Sequence, residues 1–324
     1  VALCDFDLQK ANKWKNILRL SDNDVYTDLK EMIQRPDIDA FDIMVPIELN
    51  FEVTNEVAKA GRPILCEKPL AKNISEARTA RDLQKIYNIP IMIAENYRYN
   101  EEVQMIKDMV ENEKIGSIFY FIWNRVIDFP GEMTTAKFPA REWRQHPEFP
   151  GGVILDTGVH DIAALRYIFG DCEKLQAYGK KQDDEFSPYS VITTNVVFKS
   201  GVVGNYTFFC AGKEAQKPVT GLRIFGTQGM IHLESRDSGK INVTYNDGRS
   251  EVRSYKPQRG YYNELLNFYN ALMGTEEIRV TPDVEYGDAM MLFALIKSAD
   301  EDKAIKLDEM MQEGEFHAYA GTYH

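Results

Sequence analysis

The stretch Ile64–Ala71, "ILCEKPLA", decides how the first third of the chain is read. An apolar run, Ile64 to Cys66, stops at the charged pair Glu67 and Lys68 and then at Pro69. A short apolar run bounded by turn residues reads as a buried strand. Lys68 then stands either on a solvated turn or at the carboxyl end of a sheet strand, where open parallel sheets bind ligands.

Working outward, strands and helices alternate. "VALCDF" and "AFDIMVP" read as strands before it, and "IPIMIAE" as a strand after it. Between them "LQKANKWKNIL", "TDLKEMIQ", "NFEVTNEVAKAG" and "SEARTARDLQKIYN" carry helical spacing. Thr27 and Ser75 are candidate caps, and Gly61 is a candidate stop. Alternation of this kind predicts a parallel Rossmann-type sheet with right-handed crossovers. The strands are apolar almost throughout, as a sheet covered on both faces requires.

The pattern changes near Glu95. A helix, "EEVQMIKDMVENEKIG", leads into a long strand, "SIFYFIWNRVIDF". Residues 130–150 read as a loop, and "VILDTGVHDIAALRYIFG" as a helix. Seven successive strands follow between residues 174 and 256, with hairpin turns at "KSG", "TQG" and "NDG". Two helices close the chain. The expected architecture is a dinucleotide-binding domain over residues 1–95 and an α+β domain over residues 96–324 with a large, mostly antiparallel open sheet. The last helix is expected to pack back on the first domain. The open face is an expected dimer or tetramer surface.

With 324 residues and 44% hydrophobic content the chain can bury a large core. A net charge of −12 opposes binding to nucleic acid or anionic lipid through a general field. No apolar run approaches the length of a membrane helix, and none reads as a secretory leader. Cys4, Cys66, Cys172 and Cys210 are widely spaced, which points to a reducing cytoplasm without disulfides or structural zinc. No histidine has metal-ligand spacing to a second one.

Three groups carry candidate chemistry. Asp5 ends the first strand, where an acid can accept hydrogen bonds from ribose hydroxyls and disfavour a 2′-phosphate. It can equally cap the next helix, although Asp7 suits that task better. Asp156 and His160 are spaced i, i+4, which puts them on one helix face. A carboxylate there can orient a histidine that acts as general base. Gly151, Gly152 and Gly158 permit close approach of a ligand or another backbone. Lys68 can hydrogen-bond an oxygen that becomes an alkoxide or carbonyl in hydride transfer. Tyr97, Arg98, Arg141, Trp143 and Arg144 offer donors and a stacking face for a polyol.

The ordered set "VALCDFD", "CEKPLA", "ENYRYN", "WR" and "GGVILDTGVHDI" resembles the glucose-fructose oxidoreductase and inositol dehydrogenase family, often labelled Gfo/Idh/MocA. The resemblance implies an NAD(P)-dependent oxidoreductase of a sugar, a cyclic polyol or a related hydroxy compound. It implies Lys68 at the reacting oxygen, His160 as proton acceptor and Asp156 as its partner and a substrate ligand. It implies Asp5, Pro46, Glu67, Lys68 and Asn96 around the cofactor, with NAD preferred and NADP possible. Arg98 and Trp143 are expected to join Lys68, Asp156 and His160 at the substrate.

The chain departs from the family pattern in three places. No GxGxxG precedes Val1, so a βα unit of roughly 25–30 residues is expected upstream. After Pro46, Glu48 and Asn50 stand where the family often has Asn and His, so those cofactor contacts are expected to differ. Ala163 replaces an acid after the histidine. The alternative reading is a non-catalytic sensor or regulator that binds nucleotide or sugar.

Overall fold

The computed structural model describes residues 1–128, 131, 144, 147, 149–180, 189–216 and 219–312. Two short parallel sheets hold the first part. β1 (Leu3–Cys4) pairs with β2 (Val25–Tyr26), and β3 (Phe41–Ile43), β4 (Ile64–Glu67) and β5 (Ile91–Ala94) form a separate three-stranded sheet. All four residues of β5 and the first three of β4 are buried, so both faces of this sheet are covered.

The helices between these strands are α1 (Leu8–Leu18), α2 (Leu29–Ile33), α3 (Ile47–Lys59) and α4 (Ile74–Tyr87). Asp7 caps α1, accepting from the backbone N–H groups of Gln9 and Lys10. Two expected caps shift by one or two residues. Asp28, not Thr27, caps α2, and Asn73, not Ser75, caps α4. Each holds extended backbone just outside its helix, which lets its side chain turn back onto the open N–H groups. Asn88 closes α4 in the left-handed region at φ 50°.

α5 (Glu101–Glu111) leads into β6 (Ile118–Ile127), and α6 (Val153–Phe169) into β7 (Cys172–Lys180). The strands β8 (Val191–Phe198), β9 (Val203–Cys210), β10 (Gly221–Gly226), β11 (Gly229–Leu233), β12 (Lys240–Tyr245) and β13 (Ser250–Ser254) follow. Then come α7 (Tyr261–Leu272), α8 (Pro282–Glu301) and β14 (Ile305–Lys306). The nine-stranded sheet runs β13-β12-β11-β10-β6-β9-β8-β7-β14. Its pairings are antiparallel except β6 with β9, which are parallel.

One face of this sheet is core. Phe121, Tyr206, Phe208, Ile224, Ile231 and Val243 are buried there. The other face leaves Phe119, Tyr178, Val203 and Val252 exposed. The two faces follow from the period-two alternation of the strands.

α8 packs against α4, α6 and β7, so it touches both sheets. Just before it, Val280 accepts a hydrogen bond from the Ile93 N–H of β5 at 2.9 Å. Gly151 turns into α6 at φ 82°, and a Cβ there would lie 2.4 Å from Ile296 of α8. That glycine therefore serves helix packing, not the approach of a ligand. No helix among the described residues is long and apolar enough to cross a membrane.

Candidate active site

Lys68 follows β4 directly, so its side chain leaves from the carboxyl edge of the three-stranded sheet. The Lys68–Pro69 peptide is cis. Asn50 of α3 fixes this turn: its amide donates to the carbonyls of Glu67 and Pro69, each at 3.0 Å. Asn50 is buried and faces the turn rather than an open edge. It holds the turn that carries Lys68, a contact between residues 17 and 19 positions apart that no local pattern signals. Thr54, one turn along α3, donates to the Cys66 sulfur at 3.1 Å. Burial pushes the Cys66 thiol up to about 12, so it stays protonated.

Lys68 reaches α6. Its Nζ lies 3.0 Å from Asp156 Oδ1 and 2.5 Å from the Asp156 carbonyl. The other carboxylate oxygen of Asp156 accepts from Arg144 Nε at 2.7 Å. Burial opposes the charge on both groups, yet the pair wins. Lys68 sits above the ordinary lysine value because of Asp156, and Asp156 sits well below the carboxylate range because of Lys68 and Arg144.

His160 lies one helical turn on, but its partner is different from the expected one. Its Nδ1 is 2.8 and 2.9 Å from the two oxygens of Glu95. A carboxylate accepts, so Nδ1 carries the proton in this contact and Nε2 is left as the acceptor in the neutral ring. Glu95 follows β5, next to β4, and is fully buried. It also accepts from the Tyr97 N–H at 3.0 Å. The Tyr97 ring stacks on His160 with centroids 4.5 Å apart and planes 12° apart. The expectation that Asp156 orients His160 is therefore corrected. Two cations draw the Asp156 carboxylate to themselves, and Glu95 takes the imidazole.

Other expected residues divide. Arg98 does not face this cluster; it forks onto Asp288 of α8 at 2.7–3.2 Å. Its guanidinium belongs to a buried ionic cluster of three groups, Arg98, Asp288 and Arg166. Asn96 is buried and donates to the Arg259 carbonyl at 2.6 Å. That bond ties it to the loop before α7. Trp143 and Arg141 lie outside the described residues.

Asp5 follows β1 and accepts the Asp7 N–H at 2.9 Å, which shapes the entry to α1. Pro46 stands at the N-cap of α3, after β3. Glu67, mostly buried, is raised by burial although Lys68 opposes the rise. Asp5, Pro46, Glu67 and Lys68 thus all lie at or just past carboxyl ends of parallel strands, the edge at which such sheets take dinucleotides. An acid at one end and a cation beside a buried acid at the other fit the ribose and nicotinamide ends of NAD. A glycine-rich pyrophosphate cradle is not among the described residues.

A cavity of about 440 Å³ has Tyr97 in its wall, whereas Lys68, Asp156 and His160 do not line it. Trp123, Arg125, Thr220, Arg236 and Asp237 line it, with Ala164 and Ile168 from α6. Ala164 and Ile168 are four and eight residues after His160, so the cavity continues the same helix face. Its volume falls within the range of small-molecule sites.

Residues 1–93 match a family described as an oxidoreductase family with NAD-binding Rossmann fold. Residues 103–232 match the GFO/IDH/MocA C-terminal domain. The chain is 25% identical over 300 residues to a myo-inositol 2-dehydrogenase of Thermotoga maritima, covering 88% of this chain and 85% of that protein. It is 32% identical over 254 residues to a levoglucosan dehydrogenase of Pseudarthrobacter phenanthrenivorans, covering 71% of this chain and 64% of that one. In fold it matches an oxidoreductase from Agrobacterium radiobacter, solved with NAD+, L-tartaric acid and magnesium. That match has a TM-score of 0.84 at 21% identity and covers 96% of this chain and 91% of the other.

Proposed function

Because the chain belongs to the GFO/IDH/MocA oxidoreductase family, we propose that it is an NAD-preferring dehydrogenase or reductase acting on a CH–OH group of a sugar or cyclic polyol. The observation that carries this reading is the convergence of Lys68, Asp156, His160 and Glu95 from β4, α6 and β5. Each supplies a separate need of the reaction. Relatives named for inositol and levoglucosan support the substrate class.

Nicotinamide, when bound, supplies the site that takes or gives the hydride. Asp5 would hold the adenosine ribose, and Pro46, Glu67 and Lys68 would line the nicotinamide end. His160 Nε2 takes the hydroxyl proton in the oxidative direction and returns it in reduction. Glu95 keeps the ring in the tautomer that leaves Nε2 free and compensates the positive ring that forms. Lys68 donates to the substrate oxygen as its charge changes. Asp156, itself held by Arg144, keeps that ammonium in place.

The open face of the nine-stranded sheet, with Phe119, Tyr178, Val203 and Val252, supports self-association. The four free cysteines suit a cytoplasmic setting.

The reading is tested by titrating the protein with NADH and NADPH by fluorescence and then following NADH formation with a panel of sugars and polyols. Tighter NADH binding and turnover of at least one polyol are expected. NADH binding without turnover of any sugar or polyol would favour a sensor, and no binding of either nucleotide would overturn the reading.

A further inference from the structure

Two arginines face the 440 Å³ cavity, and among the described residues neither donates a hydrogen bond to a carboxylate. Arg125 projects from β6. Its Nη2 is 3.5 Å from the Tyr97 hydroxyl, and its Nε is 3.8 Å from Asp161, beyond hydrogen-bond reach. That Nε is buried and has no hydrogen-bond partner. Arg236, from the turn after β11, donates to the same Tyr97 hydroxyl and lies 5.2 Å over its ring. Both guanidiniums thus converge on the ring that stacks on His160.

The acids on the cavity wall are Glu102, Asp128, Glu234 and Asp237, and among the described residues none of them accepts from either arginine. Asp128 accepts the Gly131 N–H, and Asp237 faces Arg259 at 3.4 Å. Asp161 accepts from the Tyr206 hydroxyl at 2.9 Å. Glu102 lies near Arg236, but burial pushes it up to about 7, so it is an incomplete counter-charge. A guanidinium fork left open in a half-desolvated wall favours a planar or tetrahedral anion, to which it can donate twice.

We propose that Arg125 and Arg236 form a subsite for an anionic group, carboxylate or phosphate, on the part of the substrate remote from the reacting carbon. This inference rests on the oxidoreductase reading above and narrows its substrate class to acidic sugars. The reacting carbon meets Lys68 and His160 on one side of Tyr97, and the anion meets the two arginines on the other.

Calorimetric titration with D-glucose, D-glucuronate and D-glucose 6-phosphate compares one ring with a neutral, a carboxylate and a phosphate arm. At least one anion should bind about 10–100-fold tighter than glucose, as charge-assisted bonds allow. Preference for glucuronate assigns a carboxylate, and preference for the phosphate ester assigns a phosphate. In Arg236→Gln, folded by circular dichroism, the gap should shrink to about twofold, and Arg125→Lys, which keeps charge but loses the fork, should shrink it in part. Equal or tighter binding of glucose, no binding of any of the three, or a gap that survives Arg236→Gln overturns the subsite. Because calorimetry reads binding without turnover, an anion preference with no hydride transfer sinks only the enzyme reading. Turnover of neutral sugars without an anion preference sinks only the subsite.

Discussion

Asp156 and Asp288 are both buried carboxylates held between two cations, yet they serve different ends. Asp156 lies between Lys68 and Arg144 beside the carboxyl edge of a parallel sheet. Asp288 lies between Arg98 and Arg166 on α8, with no exposed surface at all. The first cluster keeps a lysine, a compact charge on a mobile stem that can follow a reacting oxygen. The second uses two forked guanidiniums that lock the segment after β5 and α6 onto α8. Charge burial alone does not separate a site from a strut. The strand edge, the lysine and the neighbouring imidazole do.

The sharpest way to break this contrast is Lys68→Ala. Turnover should fall about 10³-fold, while the protein still folds, because Arg144 remains on Asp156. Near-normal turnover in steady-state assays would reduce Lys68 to a structural residue. Asp288→Ala should do the reverse. It strands Arg98 in a buried position and should cost about 3–5 kcal/mol in denaturant unfolding. A stable Asp288→Ala protein with lost turnover would invert the assignment of the two clusters.

Glu95→Gln sharpens the first cluster further. It keeps the shape of a buried side chain and one acceptor oxygen for His160, but removes the charge that compensates the imidazolium. kcat should drop about 10²-fold with KM nearly unchanged, since the loss falls on proton transfer. A change confined to KM would make Glu95 a binding residue instead.

Glu264 completes the comparison as a buried carboxyl in α7 with an unpartnered oxygen. Burial, helped by Glu95, Glu67 and Asp42, pushes it up to about 9. Its folded value thus lies above an unfolded one of about 4.3. Between those values the unfolded chain loses a proton that the folded protein keeps, so this group lowers stability as pH rises from about 4 to about 9. Glu264→Gln should therefore gain about 1–2 kcal/mol at pH 8 and almost nothing at pH 4, read from thermal unfolding at both values. A loss at pH 8 would show that the carboxylate has a charged partner.

Much of the site was legible because it depends on local rules. The apolar run before Glu67 placed Lys68 at a strand end, and the i, i+4 spacing placed Asp156 and His160 on one face. The partners were not legible, because pairing is tertiary. Lys68 is 88 residues from Asp156, Glu95 is 65 from His160, and Arg98 is 190 from Asp288. Glu95 did carry a usable sign: it directly follows β5 and Glu67 ends β4, so both stand at the same sheet edge. The parallel pairing of β6 with β9 was hidden for the same reason, since no turn joins them. The caps at Asp28 and Asn73 were missed by one or two positions, where neighbouring residues have similar capping ability.

The most direct test of the central claim is label transfer. Protein incubated with deuterated NADH, labelled at nicotinamide C4, and a panel of ketose and inosose acceptors should yield an alcohol carrying deuterium on carbon, detected by mass spectrometry. The account predicts transfer by the native protein and transfer slowed about 10³-fold in folded, NADH-binding Lys68→Ala. Equal transfer by both proteins, or none by the native protein while it binds NADH, would contradict it.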